Sequence, residues 1–334
     1  MRLSSGRPEE GGRPTPSDGA RGSMTLLQTA EPPARAPAAA RAPAREAAPP
    51  ARWRQGLRFA LFWGAPPLAW QLAFFVVPLG FLVAMTFWTV RNFRLTPDFV
   101  FANWTHIFKA SFFSSAYVYT FQLALATAVL ASIVAFPAAY AMAFRMSAST
   151  RRLLIFLLVV PFFTSYPVRI YSWQIFFSPP GIVNKLLATF GAGPVTILNT
   201  STATIIGYMT LVLPLVVLLQ TFSLANVDPR LIEAAHNLRC GRIRTIFTVL
   251  IPAARTGLLI AATFAFVLAF GDYIAPLLLG GSKPPTLSIL IADQVKSGNH
   301  WPRASVIAVV MIGTLMAVML AMLALAYAKP KRAR

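Results

Sequence analysis

Charged side chains are scarce in this chain, and acidic ones scarcer still. Asp and Glu together number 10 in 334 residues and all charged residues make up 12%, about half the share of a soluble globular domain. With 56% apolar residues and a mean hydropathy of +0.62, there is too little polar surface to face water all round, so the expected solvent is a bilayer. Cysteine occurs once, as Cys240, which excludes an intrachain disulfide, and no Cys or His cluster has metal-ligand spacing. The three histidines, His106, His236 and His300, lie outside the apolar runs. There is no HExxH, no Ser-His-Asp arrangement and no paired carboxylates within those runs, hence no case for an enzyme active site. A phosphate-binding G-x-x-x-x-G-K-[ST] is also missing: Gly280-Gly281-Ser282-Lys283 runs into two prolines.

What is abundant is positive charge, +20 in all. A nucleic-acid groove would interleave that charge with aromatics. Here 10 arginines fall before Phe59 in a Pro/Ala-rich stretch, and the rest cluster at the ends of apolar runs. That distribution is one of membrane topology and argues against nucleic acid as a partner. Residues 1–57 read as a disordered basic cytoplasmic tail, with Met24 a second candidate for the start, and residues 58–334 as a transmembrane domain. Nothing in the tail resembles a secretory signal.

Six apolar segments follow, each near the roughly 20 residues needed to cross hydrocarbon. They are expected at 66–89, 119–144, 153–176, 202–225, 256–280 and 304–328. The fold class is thus all-α and polytopic, in contact with membrane lipid. Arg145, Arg151 and Arg152, then Arg230, Arg239, Arg242, Arg244 and Arg255, then Lys329, Lys331, Arg332 and Arg334 mark one side. By the positive-inside rule that side, with both termini, is cytoplasmic. The longer, aromatic-rich loops on the other side carry short helical patterns suited to the interface, near Trp104 and Trp301.

One basic loop is itself patterned. Asp228-Pro229 is a helix start, since Asp caps free amides and Pro suits the first helical position. Leu231, Ile232, Ala235 and Leu238 then recur at helical spacing, and Gly241 is expected to end the helix in a left-handed conformation. A second helix from Arg242 to about Leu250 runs back to the membrane, with Pro252 near its end. On pattern alone, an interfacial helix with arginines on lipid phosphates explains the segment equally well.

The stretch EAAHNLRCGRIRTIFTVLIPAARTGLL resembles the EAA segment of the permease subunits of ATP-binding cassette importers. That pattern runs Glu-Ala-Ala, three residues, Gly, nine residues, an aliphatic, one residue, Leu-Pro. Glu233, Ala234 and Ala235 match it, Val249 fills the aliphatic position and Ile251-Pro252 stands for Leu-Pro. Gly257 matches a glycine often found shortly after. Arg239 departs from it, occupying the place of the motif glycine. RIYSWQIFFSPPGIVNKLL and FGDYIAPLLLGG are similar to the spermidine/putrescine branch of the same family. The resemblance implies a bacterial inner-membrane importer subunit for polyamines or a similar small cationic solute. Segment 228–252 would be its coupling element, with Glu233, Ala234, Ala235, Leu238, Arg239 and Gly241 meeting the ATPase. It also implies a second permease subunit (related or identical), two cytoplasmic ATPases that carry ATP and Mg, and an extracytoplasmic binding protein. No cofactor or metal is expected on this chain.

Asp272 is the one carboxylate expected well inside a span, where an ionisable group is a functional-site candidate. It could meet a cargo ammonium, helped by Tyr273 and Trp173, or pair with another group such as Arg169. The rival function is an ion-gradient-driven secondary transporter, which would commonly carry acidic or His relays and internal repeats.

Overall fold

The computed structural model describes residues 52–92 and 94–328, leaving aside the side chains of residues 52–58, 60 and 61. Met24, residues 1–51 of the expected tail and the four basic residues after Ala328 lie outside the described residues. Two compact units divide the chain between Phe62 and Trp63. What is described of the first is the opening of helix α1 (Arg52–Gln71), which begins within the segment assigned to the tail.

In the second unit, α2 (Val77–Met85) follows a π turn at Leu72–Val76. The first apolar span covers Phe62–Met85, shifted four residues toward the N-terminus from the expected 66–89. Its end is set by a polar clamp. Asn103 Nδ2 donates to the carbonyls of Thr86 and Trp88 at 3.0 and 2.9 Å, turning the chain into a hairpin of β1 (Thr89–Arg91) and β2 (Arg94–Thr96). These short strands are the departure from an all-helical chain among the described residues. Helix α3 (Ala102–Lys109) leads into α4 (Ser111–Phe144), the longest span.

The third apolar segment is broken. α5 (Ala148–Val159) is capped by Ser147, whose hydroxyl accepts from the Thr150 amide. It passes through a 3₁₀ turn at Val160–Phe163 into α6 (Tyr166–Phe177) and α7 (Ile182–Thr189), with a 91° bend between the two halves. Pro161 and Pro167 explain the break, since each removes a backbone donor and restricts the residue before it. Five helices are long and apolar enough to cross a membrane, six if this bent pair is one span.

α8 (Ser201–Ala225) crosses back to α9 (Pro229–Asn237). Then α10 (Arg242–Thr245), a π turn at Ile246–Leu250 and α11 (Ile251–Gly271) run on as one span, Arg242–Gly271. Pro252 was expected near the end of a separate helix. It instead sits in the first turn of α11, and the wider turn before it accommodates its missing N–H and its ring. The span stops at Gly271 rather than 280. Short α12 (Ile274–Leu278), α13 (Leu287–Lys296) and the last span α14 (Trp301–Tyr327) complete the chain.

α4, α8 and α11 pack together at the centre. The buried face of α4 carries Ala116, Thr120, Ala124, Thr127, Ala128, Ala131, Ala135 and Ala139, small residues that let backbones approach closely in lipid. Gly257 does the same on α11. A Cβ there would stand 2.2 Å from Ser223 Oγ on α8, whose hydroxyl donates to the Ala254 carbonyl at 3.0 Å. Large apolar side chains such as Phe264, Met319, Leu320 and Leu323 are exposed, as a hydrocarbon solvent permits.

Candidate functional site

Helix α9 forms as its sequence directs. Asp228 accepts from the Arg230 amide at 2.9 Å, and Pro229 opens the first turn. Its far end differs from the expected one. The left-handed residue is Arg239, at φ 55°, whereas Gly241 is extended and starts α10. Cys240 N donates to Ala235 O at 3.0 Å and Arg239 N to His236 O at 2.9 Å. This pair of bonds is the Schellman arrangement, which normally places glycine where Arg239 stands. Glycine is favoured there because it has no Cβ to crowd the following carbonyl. The backbone of the motif is therefore kept while its glycine is replaced.

The apolar residues of α9 divide between two faces. Ile232 packs against a buried cluster formed by Ala139, Leu224, Val227, Leu250 and Ala254, and Ala235 is 6% exposed. Both hold α9 to the bundle, so Ala235 faces inward and not outward with the other motif residues. Leu231 is 47% exposed and Leu238 81%. With Glu233, Ala234 and Arg239 they make the outward surface. The α9 end of the bundle also holds the ends of two other spans. A cavity is shared by α9 and the end of α4, and Arg255 in α11 donates to the Ala328 carbonyl just past α14.

The other candidate group lies at the opposite end of α11. Asp272 is not within a continuous span but at the break between α11 and α12. Its carboxylate accepts from Tyr166 Oη at 2.8 Å and from the amides of Ile274 and Ala275 at 3.2 and 3.0 Å. Arg169 is not its partner. That guanidinium donates to the Thr210 carbonyl at 3.1 Å and lies 5.8 Å from the centre of the Tyr166 ring. Tyr273 faces Lys296, whose Nζ is 5.8 Å from its ring centre. Trp173 stacks on Phe177 and meets Phe176 edge-on. The side chains of Asp272, Tyr273 and Trp173 thus meet different partners. Tyr166, 106 residues away in sequence, is the partner that no local pattern marks. The nearest signal was Pro167, which fixes the start of α6.

Residues 129–332 match the family described as the inner membrane component of binding-protein-dependent transport systems. The spermidine/putrescine transport system permease protein PotB of Haemophilus influenzae is 30% identical over 248 residues, covering 72% of this chain and 85% of that protein. PotB of Escherichia coli K12 is 27% identical over 238 residues, 70% and 86% of the two chains. Among solved structures, a bacterial alginate ABC transporter in complex with alginate pentasaccharide-bound periplasmic protein has a similar fold. It aligns with a TM-score of 0.67 at 16% identity over 82% of this chain and 96% of that one.

Proposed function

Because this chain belongs to the family of inner-membrane components of binding-protein-dependent transport systems, and is a multi-pass permease subunit rather than an enzyme, we propose that it imports a polyamine with α9 as its coupling helix. Family membership sets aside the gradient-driven secondary transporter. The cargo reading is supported by the names of the two PotB relatives. The coupling reading rests on one observation: a capped helix held to the bundle by Ile232 and Ala235 turns Leu231, Ala234 and Leu238 outward beside Glu233.

An exposed apolar strip flanked by charge suits docking of a short helix into a groove, with the apolar contacts giving affinity and the charges orientation. ATP and Mg then belong to two cytoplasmic ATPase subunits. Their closure pushes on α9, and the load passes through Ile232 into α4, α8 and α11. A second permease subunit, related or identical, forms the other half of the path, and an extracytoplasmic binding protein delivers the solute. This reading places both termini and α9 in the cytoplasm, in keeping with the arginines that surround them.

Asp272 serves the path as a latch. With its oxygens committed to Tyr166 and two amides, it fixes α12 and the bent α6 at the end of the bundle away from α9. The test is reconstitution with the cognate ATPase and binding protein. Spermidine-loaded binding protein should stimulate ATP hydrolysis, and Glu233→Lys should abolish that stimulation. Full stimulation in the variant removes the coupling role, and no response to any polyamine removes the cargo.

A further inference from the structure

A cavity of about 330 Å³ lies between α9 and the bundle, within the roughly 300–1,000 Å³ range of small-ligand sites. Three elements give it cationic or N–H donor groups: Arg145 after α4, His236 on α9 and Arg242 on α10. No carboxylate lines it. Among the described residues neither Arg145 nor Arg242 forms an ion pair, since the one pair recorded joins Arg91 to Asp98. Arg145, His236 and Arg242 are all exposed at the rim of this hollow, so their mutual repulsion is screened by water, and an anion lodged among them gains attraction from each. The guanidinium fork matches the oxygens of a phosphate in particular.

Position and the remaining walls narrow the anion further. The α4 span ends at Phe144, which lines the same cavity as Arg145, so the hollow lies at the basic end of the bundle, the side on which anionic headgroups attract arginine. Phe144, Ile232 and Ile246 supply an apolar wall that suits glycerol and the first acyl carbons better than a free ion. We propose that this cavity binds the phosphodiester headgroup of an anionic phospholipid, bridging Arg145 to His236 and Arg242. A lipid seated there restrains α9 against the end of α4 from the side opposite its exposed leucines. The site is separate from the outward face assigned to the ATPase.

The test uses the assembled importer in phosphatidylcholine nanodiscs with about a quarter phosphatidylglycerol, an anionic surface of the kind basic residues bind. Retained lipid is read by native mass spectrometry and affinity by titration. Charged hydrogen bonds contribute about 1.5–3 kcal/mol each, so Arg145→Gln/Arg242→Gln should weaken phosphatidylglycerol binding by at least about tenfold. Arg151→Gln/Arg152→Gln removes the same charge nearby and should leave binding unchanged. If the first pair retains the lipid, or both pairs lose it equally, the site is overturned in favour of diffuse surface attraction. Inorganic phosphate titrated onto delipidated protein in detergent distinguishes the source. Saturable phosphate binding that added phosphatidylglycerol competes away would replace the lipid with a free anion, and its absence supports the lipid. Should the double glutamine variant fail to assemble, His236→Leu, which removes the donor at an exposed position, is expected to weaken binding severalfold, and unchanged affinity there overturns the bridge.

Discussion

The hydroxyl of Tyr166 donates to the carboxylate of Asp272 at 2.8 Å, joining the start of α6 to the break between α11 and α12 across 106 residues of sequence. Two α12 amides share the same carboxylate. A group so fully engaged holds helix ends in place, and an intramembrane-level carboxylate need not be a cargo ligand to be costly to replace.

Tyr166→Phe removes one donor and leaves two. It should destabilise the protein by about 1–2 kcal/mol, and Asp272→Ala, which strands three donors, by more. Unfolding in mixed micelles measures both. In transport assays the latch reading expects a lower maximal rate with little change in the cargo concentration for half-maximal uptake. A large rise in that concentration with intact stability would instead make Asp272 a cargo contact.

Arg239 holds a left-handed backbone that favours glycine. Arg239→Gly should therefore be neutral to stabilising, by up to about 1 kcal/mol, because relief of Cβ crowding outweighs the added freedom of the unfolded chain. A β-branched Arg239→Val should destabilise by a comparable amount or more. Thermal melts of the three proteins read the order directly.

Leu238 is almost fully exposed, so Leu238→Asp should leave the isolated chain within about 0.5 kcal/mol of its parent. Co-purification with the ATPase should nevertheless fall sharply. Loss of expression or of fold would place Leu238 in the bundle and contradict its exposure.

Gly257→Val should destabilise the protein. The Ser223 hydroxyl occupies the space of the new side chain, and separating α8 from α11 breaks its bond to Ala254. Overpacking of this kind costs about 1–3 kcal/mol. Ser223→Ala combined with Gly257→Ala should recover part of the loss in the same unfolding assay.

Cys240 is the only cysteine in the chain and is half-buried beside α9, which makes it a natural reporter of sidedness. A membrane-impermeant maleimide should label it in inside-out vesicles and not in intact cells. The reverse pattern would invert the proposed orientation.

The sequence by itself determined the solvent, where most of the apolar segments fall and where α9 begins. Composition is a bulk property, span length is fixed by bilayer thickness, and the Asp228-Pro229 start is a local signal that needs no distant partner. The Glu233-Ala234-Ala235 spacing likewise survives any packing of the helices around it. Tertiary structure decided where that pattern breaks. Pro161 and Pro167 announced an irregular third segment, but only packing could make it a 91° bend. Pro252 looked like a helix end until the π turn before it let the span run on. Which α9 residues face the bundle depended on the positions of Ala139, Leu224 and Leu250, so Ala235 could not be told from Ala234 in advance. The partner of Asp272 was likewise out of reach of any sequence window, because a carboxylate takes its donors from whatever the fold brings within about 3 Å.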